Sequence, residues 1–229
     1  MLQALGDALR PGGLTGTRQA LEQEPLPPGS LVLDAGCGPG RTAAFVHSQA
    51  KCRVIGVDRE AKLLPSGPRG STDLLFACGD ACSLPLPDTC LDAVFCECVL
   101  TLLAHPVQAL KEFSRTLKPG GRLYYSDMYT RSVPESAPSP EYGTCLADPV
   151  PLDLLRRQLQ EQGFTILAEQ DQTKLLTETA GRLIFEYGST QLFWQAVLGP
   201  AAGNACSSRV QALRPGYVFF IVRKEESHV

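Results

Sequence analysis

Two groups of residues in this chain have types and spacing that can do chemistry. The first is Asp34-Ala35-Gly36-Cys37-Gly38-Pro39-Gly40, where the apolar run Leu31-Val32-Leu33 breaks into a glycine turn ahead of a helical pattern from Thr42 to Ala50. A buried parallel strand that hands over to a helix in this way brings backbone close to a nucleotide-like ligand. Gly36 and Gly38 permit it because they adopt positive φ where a Cβ would clash. Asp58 belongs to the same group: it ends the run Cys52 to Val57, about 20 residues beyond the turn, where a carboxylate accepts hydrogen bonds from ribose hydroxyls. The second group is sulfur. Of nine cysteines, Cys96 and Cys98 flank Glu97 at the end of another apolar run, and Cys145 lies in a loop.

Spacing excludes several chemistries. A dinucleotide fingerprint requires G-x-G-x-x-G, but counting from Gly36 the third glycine comes one place early, at Gly40, and Arg41 occupies its position. No Lys-Ser or Lys-Thr pair follows, which excludes a P-loop. The cysteines form no C-x-x-C pair; Cys78 and Cys82 are four apart and Cys96-Glu97-Cys98 is a C-x-C, so no zinc site of the usual kind is expected. Cys37, Cys52 and Cys90 read as small apolar core residues. His47 and His105 read as a helix and a loop residue rather than general bases.

Composition narrows the field further. A chain of 229 residues suits one α/β domain with a large core. The formal charge of −3 and a pI near 5.7 give no electrostatic footprint for nucleic acid. No apolar run approaches the roughly 20 residues that span a bilayer. The start, with Arg10 its only early cation, lacks the basic, apolar and cleavage regions of a secretory signal. A cytoplasmic protein without a disulfide framework is expected.

The elements that must position these residues follow from periodicity. Strands are expected at the apolar run of Leu31-Val32-Leu33 before the glycine turn, and at Cys52–Val57, Asp73–Cys78, Leu91–Cys96 and Arg122–Ser126, the last ending at Asp127. A helix from Pro106 to Leu117, with Val107, Leu110, Phe113 and Leu117 at helical spacing, precedes the stop Lys118-Pro119-Gly120-Gly121. Beyond it, Pro151–Gln162 reads as a helix, Phe164–Glu169 as a strand, Thr173–Leu198 as long helical material and Tyr217–Val222 as the last strand. A turn around Arg10-Pro11-Gly12-Gly13 leads to a helix near Thr17–Glu24, and Ser132 to Pro140 reads as a surface loop.

The D-x-G-x-G-x-G of residues 34–40 resembles motif I of the class I S-adenosylmethionine-dependent methyltransferases. The stretch Leu84 to Val99 is similar to that family's LPxxDxxFDxVxxxxV region, and Leu117-Lys118-Pro119-Gly120-Gly121 matches its L-K-P-G-G residue for residue. The resemblance implies an α/β, Rossmann-like, seven-stranded, mostly parallel sheet with helices on both faces and an antiparallel last strand. It implies a single domain over residues 1–229, with 1–29 a cap segment and 128–150 an acceptor-side loop, and S-adenosyl-L-methionine as cofactor. Asp34, Gly36 and Gly38 would then serve the methionine end, Asp58 the ribose and Asp80 with Ala81 the adenine, with Cys37, Arg59 and Glu97 as further cofactor-binding residues. The segment at Arg10 reads first as a turn into the following helix; as a cap over the cofactor it would instead let Arg10 pair with the methionine carboxylate.

On the same resemblance the acceptor approaches over the tips of strands four and five, where Cys96, Glu97, Cys98, Tyr129 and the loop residue Cys145 would shape its pocket. Residues 91–146 look most like the arsenite methyltransferases, through C-V-L-T-L-L, L-Y-Y-S-D-M-Y and Y-G-T-C-L. Cys145 matches one arsenic-binding cysteine of that group, but Ala43 stands where the group has another and Thr177 to Ile184 contains none. The implied activity is methyl transfer to a small soluble acceptor such as a metalloid, thiol or selenol, since thiolates suit soft centres. A quinone-type carbon or oxygen methyltransferase and a noncatalytic cofactor-binding partner are the alternative readings.

Overall fold

The computed structural model describes residues 10–65, 72–132 and 149–226. Its strands run in chain order β1 (Leu31–Ala35), β2 (Arg53–Asp58), β3 (Leu74–Cys78), β4 (Leu91–Glu97), β5 (Leu117–Thr130), β6 (Val150–Pro151), β7 (Phe164–Asp171) and β8 (Gly216–Lys224). The sheet order is β3-β2-β1-β4-β5-β8-β7, with the two-residue β6 paired to β5. Strands β1 to β5 pair in parallel, and β8 lies antiparallel between β5 and β7. This is the expected mostly parallel sheet with its last strand reversed. The short β6 is an addition that a two-residue pairing leaves invisible to periodicity.

Helices cover both faces because the central strands are apolar on both. On one face α3 (Pro106–Thr116) and α4 (Leu152–Glu161) bury Leu110, Phe113, Leu155 and Leu159 against Leu33, Val94, Leu123 and Phe220. On the other, α1 (Thr15–Gln23) and α2 (Arg41–Ala50) bury Ala20, Ala43 and Val46 against Val32, Phe95, Tyr124 and Phe219. Phe95 and Tyr124 stack with ring centroids 4.4 Å apart, which ties β4 to β5 within that face.

The strand β5 is longer than expected. The proline and glycines of residues 119–121 do not end the pairing but are absorbed where the β4–β5 register shifts between Leu91 and Ala93. The expected long helical segment is two helices, α5 (Thr173–Tyr187) and α6 (Thr190–Leu198), and a third, α7 (Pro200–Leu213), follows it. Gly188 at φ +84° stops α5, and Ser189 caps α6 by accepting from the Leu192 N–H at 3.0 Å. The helix α7 was not anticipated, although Pro200 at its first turn after Gly199 is a start signal. All three are inserted between β7 and β8, strands that pair directly with each other.

Candidate cofactor and acceptor site

The turn between β1 and α2 is built by close approach. Gly36 has φ +70°, and a Cβ there would stand 2.3 Å from Val99 Cγ2. Gly38 also has positive φ, +49°, but a Cβ there would meet nothing within 4 Å: the backbone borders open space. Asp58, at the tip of β2, holds the turn in place; its Oδ2 accepts from Gly38 N–H at 2.8 Å and its Oδ1 from Glu60 N–H at 2.8 Å. The turn, Arg10, Arg41, Thr42 and Glu97 line a pocket of about 50 Å³.

Asp34 does not line that pocket. It is buried beneath the turn, where its Oδ2 accepts from Ala43 N–H at 2.9 Å and so supplies the first turn of α2 with an acceptor. Burial, and then the nearby Glu97, push its carboxyl up to about 8 despite Arg10 and the Ala43 N–H. Cys37 is buried too, and burial raises its thiol.

Glu97 is the hub of a buried polar cluster. Arg10 Nη2 lies 2.8 Å from Glu97 Oε2 and donates to Thr17 Oγ1 at 2.7 Å, while its Nη1 donates to Thr42 Oγ1 at 3.0 Å. The Thr17 hydroxyl donates to Glu97 Oε1 at 2.8 Å and the Thr42 hydroxyl to Oε2 at 2.9 Å. Burial opposes the charge on Arg10, but Glu97 leads the groups that leave its pKa raised. Sequence reasoning missed Thr17 and Thr42, whose only signal was a hydroxyl on an otherwise apolar helix face.

The remaining predicted residues separate. Arg59 is exposed. Asp80 is exposed and its Oδ1 accepts from Cys82 N–H at 2.8 Å, whereas Ala81 is buried in the core. Cys96 lies wholly in the core among Leu33, Val94 and Tyr125, because alternation along β4 turns it away from the face that carries Glu97. Burial, then Asp127, raises its thiol well above the ordinary range, so no accessible thiolate stands there. Tyr129 is likewise on the core face; its hydroxyl donates to Asp171 at 3.3 Å and accepts from Arg131 at 3.0 Å. Cys145 lies outside the described residues.

Among the described residues predicted for the acceptor side, Cys98 alone keeps company with the Glu97 face. It adopts φ +57°, an uncommon conformation for a cysteine, and its N–H donates to Ser126 O at 2.7 Å. It packs with Met128 and Tyr217 beneath Leu176, Trp194 and Val210, one residue from each inserted helix. Tyr217 and Ser126 share a hydrogen bond of 2.9 Å, and burial, then Cys98, raises the tyrosine well above its ordinary pKa. Asp127 is fully buried; it accepts from the hydroxyl and N–H of Thr101, and burial pushes it up to about 6. Among the described residues no group of three or more His, Cys, Asp or Glu could hold a metal ion, and no helix is long and apolar enough to cross a membrane.

Comparison with known proteins finds mostly methyltransferases. A family described as a methyltransferase domain matches residues 33–125. A demethylmenaquinone methyltransferase of Renibacterium salmoninarum is 36% identical over 100 residues, 44% of this chain and 42% of that protein. An arsenite methyltransferase of Aquipseudomonas alcaligenes is 33% identical over 155 residues, 60% of this chain and 44% of its own length. The chain thus spans less than half the length of these curated relatives. The solved structure of Haemonchus contortus phosphoethanolamine N-methyltransferase 2 in complex with S-adenosyl-L-methionine superposes with a TM-score of 0.77 at 20% identity, covering 98% of this chain and 56% of that one. The glycine turn, the sheet order with its reversed last strand and the matched stretch agree: residues 33–125 of this chain match a methyltransferase domain.

Proposed function

We propose that the protein transfers a methyl group from S-adenosylmethionine to a small-molecule acceptor. The observation that carries this reading is the open space at Gly38 beside the Asp58 carboxylate, a cradle that a Cβ would fill. The donor set fits the cofactor's chemistry. Asp58 offers a half-exposed carboxylate for ribose hydroxyls, and Arg10 and Glu97 at the pocket wall complement the two charges of an amino acid. When bound, the cofactor supplies a methyl group on a positively charged sulfur, a strong electrophile that needs little from the protein beyond alignment.

The chain's own residues support an acceptor that arrives with a nucleophilic lone pair. Tyr217 and Asp127 have pKa values raised by burial, and Asp127 is saturated by Thr101 and the Met128 N–H. Neither is placed as a free general base. The matched relatives are named for a quinone precursor and arsenite, and the structural neighbour for an amine. A metalloid, thiol or selenol acceptor rests on Cys98 and on Cys145, since Cys96 is closed off in the core. The net charge of −3 favours small molecules over nucleic acid, and the free cysteines favour a reducing, cytoplasmic compartment.

The test is a turnover screen under reducing conditions with arsenite, small thiols, a quinol and phosphoethanolamine, following S-adenosylhomocysteine. Accumulation with one acceptor class and not in its absence is expected. Cofactor binding without turnover of any acceptor would instead identify a noncatalytic binding protein.

A further inference from the structure

The pocket wall formed by Arg10 and Glu97 is itself held from behind. Thr17, on α1, is completely buried and lies outside the residues that line the pocket. Its hydroxyl joins the two charged groups on a path separate from their direct contact, accepting from Arg10 Nη2 at 2.7 Å and donating to Glu97 Oε1 at 2.8 Å. A hydroxyl is one of the few neutral groups that can do both at one atom.

We propose that Thr17 is a positioning residue for the cofactor's amino-acid end, acting through Arg10 and Glu97 without touching the ligand. The inference rests on the cofactor reading above. Arg10 reaches the pocket from a turn ahead of α1, while Glu97 reaches it from the tip of β4; no backbone pairing joins the two. Their mutual geometry is set by side chains alone. Thr42 ties the same pair to α2, but from the pocket side, where a ligand can contact it. Thr17 fixes the rear.

The experiment compares two probes that differ only in the amino-acid end: S-adenosylhomocysteine, which has it, and 5′-methylthioadenosine, which does not. Binding of both to the wild type, Thr17→Val and Thr17→Ser is measured by isothermal titration calorimetry. Valine keeps the shape and removes the hydroxyl, and loss of hydrogen bonds to charged groups predicts S-adenosylhomocysteine affinity lower by about ten- to a hundredfold. Affinity for 5′-methylthioadenosine stays within about twofold, and Thr17→Ser restores the first. Equal losses for both probes would show a general structural defect and overturn the proposal, as would unchanged affinity for S-adenosylhomocysteine in Thr17→Val. A wild-type protein that binds neither probe would overturn the cofactor reading itself, a result distinct from either.

Discussion

The regions proposed for the cofactor and for the acceptor are built by different means. The region proposed for the cofactor centres on a backbone turn at Gly36 and Gly38, braced by one carboxylate, Asp58, from the neighbouring strand. The region proposed for the acceptor is a packed cluster of side chains, with Cys98, Met128 and Tyr217 from three strand tips covered by Leu176, Trp194 and Val210 from three inserted helices. A backbone cradle accepts one ligand shape and tolerates little change. A cluster of side chains drawn from six places can be rebuilt one residue at a time, which is how one fold supports many acceptors.

The contrast can be broken first at Glu97, which stands where the two regions meet. Glu97→Ala leaves Arg10 buried without its partner, and losing one member of a buried pair is expected to cost about 3–5 kcal/mol. Denaturant unfolding measures it, and a loss below about 1 kcal/mol would mean that Arg10 finds water or another partner. The cofactor region itself is sharpened by two glycines. Gly36→Ala forces a Cβ against Val99 at a positive φ and should lower stability by roughly 2–4 kcal/mol. Gly38→Ala meets no neighbour and should cost only about 1–2 kcal/mol, yet weaken S-adenosylhomocysteine binding more than tenfold. Equal effects of the two on binding and stability would erase the distinction between packing and cradle.

A further expected effect is a pH slope. Asp34 is pushed from 3.8 up to about 8 in the folded protein, so the folded chain keeps a proton that the unfolded chain has lost. Its contribution is therefore fully present at acid pH, below about 4, and lost as pH rises towards 8. Asp127, pushed up to about 6, acts in the same direction over a lower range. Asp34→Asn still offers Ala43 N–H an acceptor and should flatten the fall in melting temperature between pH 6 and 9. A variant that follows the wild-type slope would show that Asp34 is already ionised in the folded state.

Much of this was legible in the residues. The glycine turn, the acidic tip of β2 and the L-K-P-G-G signal all act within a few residues of themselves, so local pattern carries them. The thiols were not legible in the same way. Cys96 and Cys98 are two apart on one apolar run, and spacing cannot say which face of the sheet each meets, or whether that face is core or crevice. The split of the helical stretch into α5 and α6 was marked by Gly188-Ser189, but the destination of those helices was marked by nothing.

The chain's own order of residues determined the parallel core, the place of the turn and the carboxylate that braces it, because strand burial and positive φ are demands that single positions must meet. Tertiary structure decided which charges share the crevice. Arg10, Thr17, Thr42 and Glu97 come from four separate segments, and the hydrogen bonds that make them one cluster exist only after the sheet has brought those segments within 3 Å of one another.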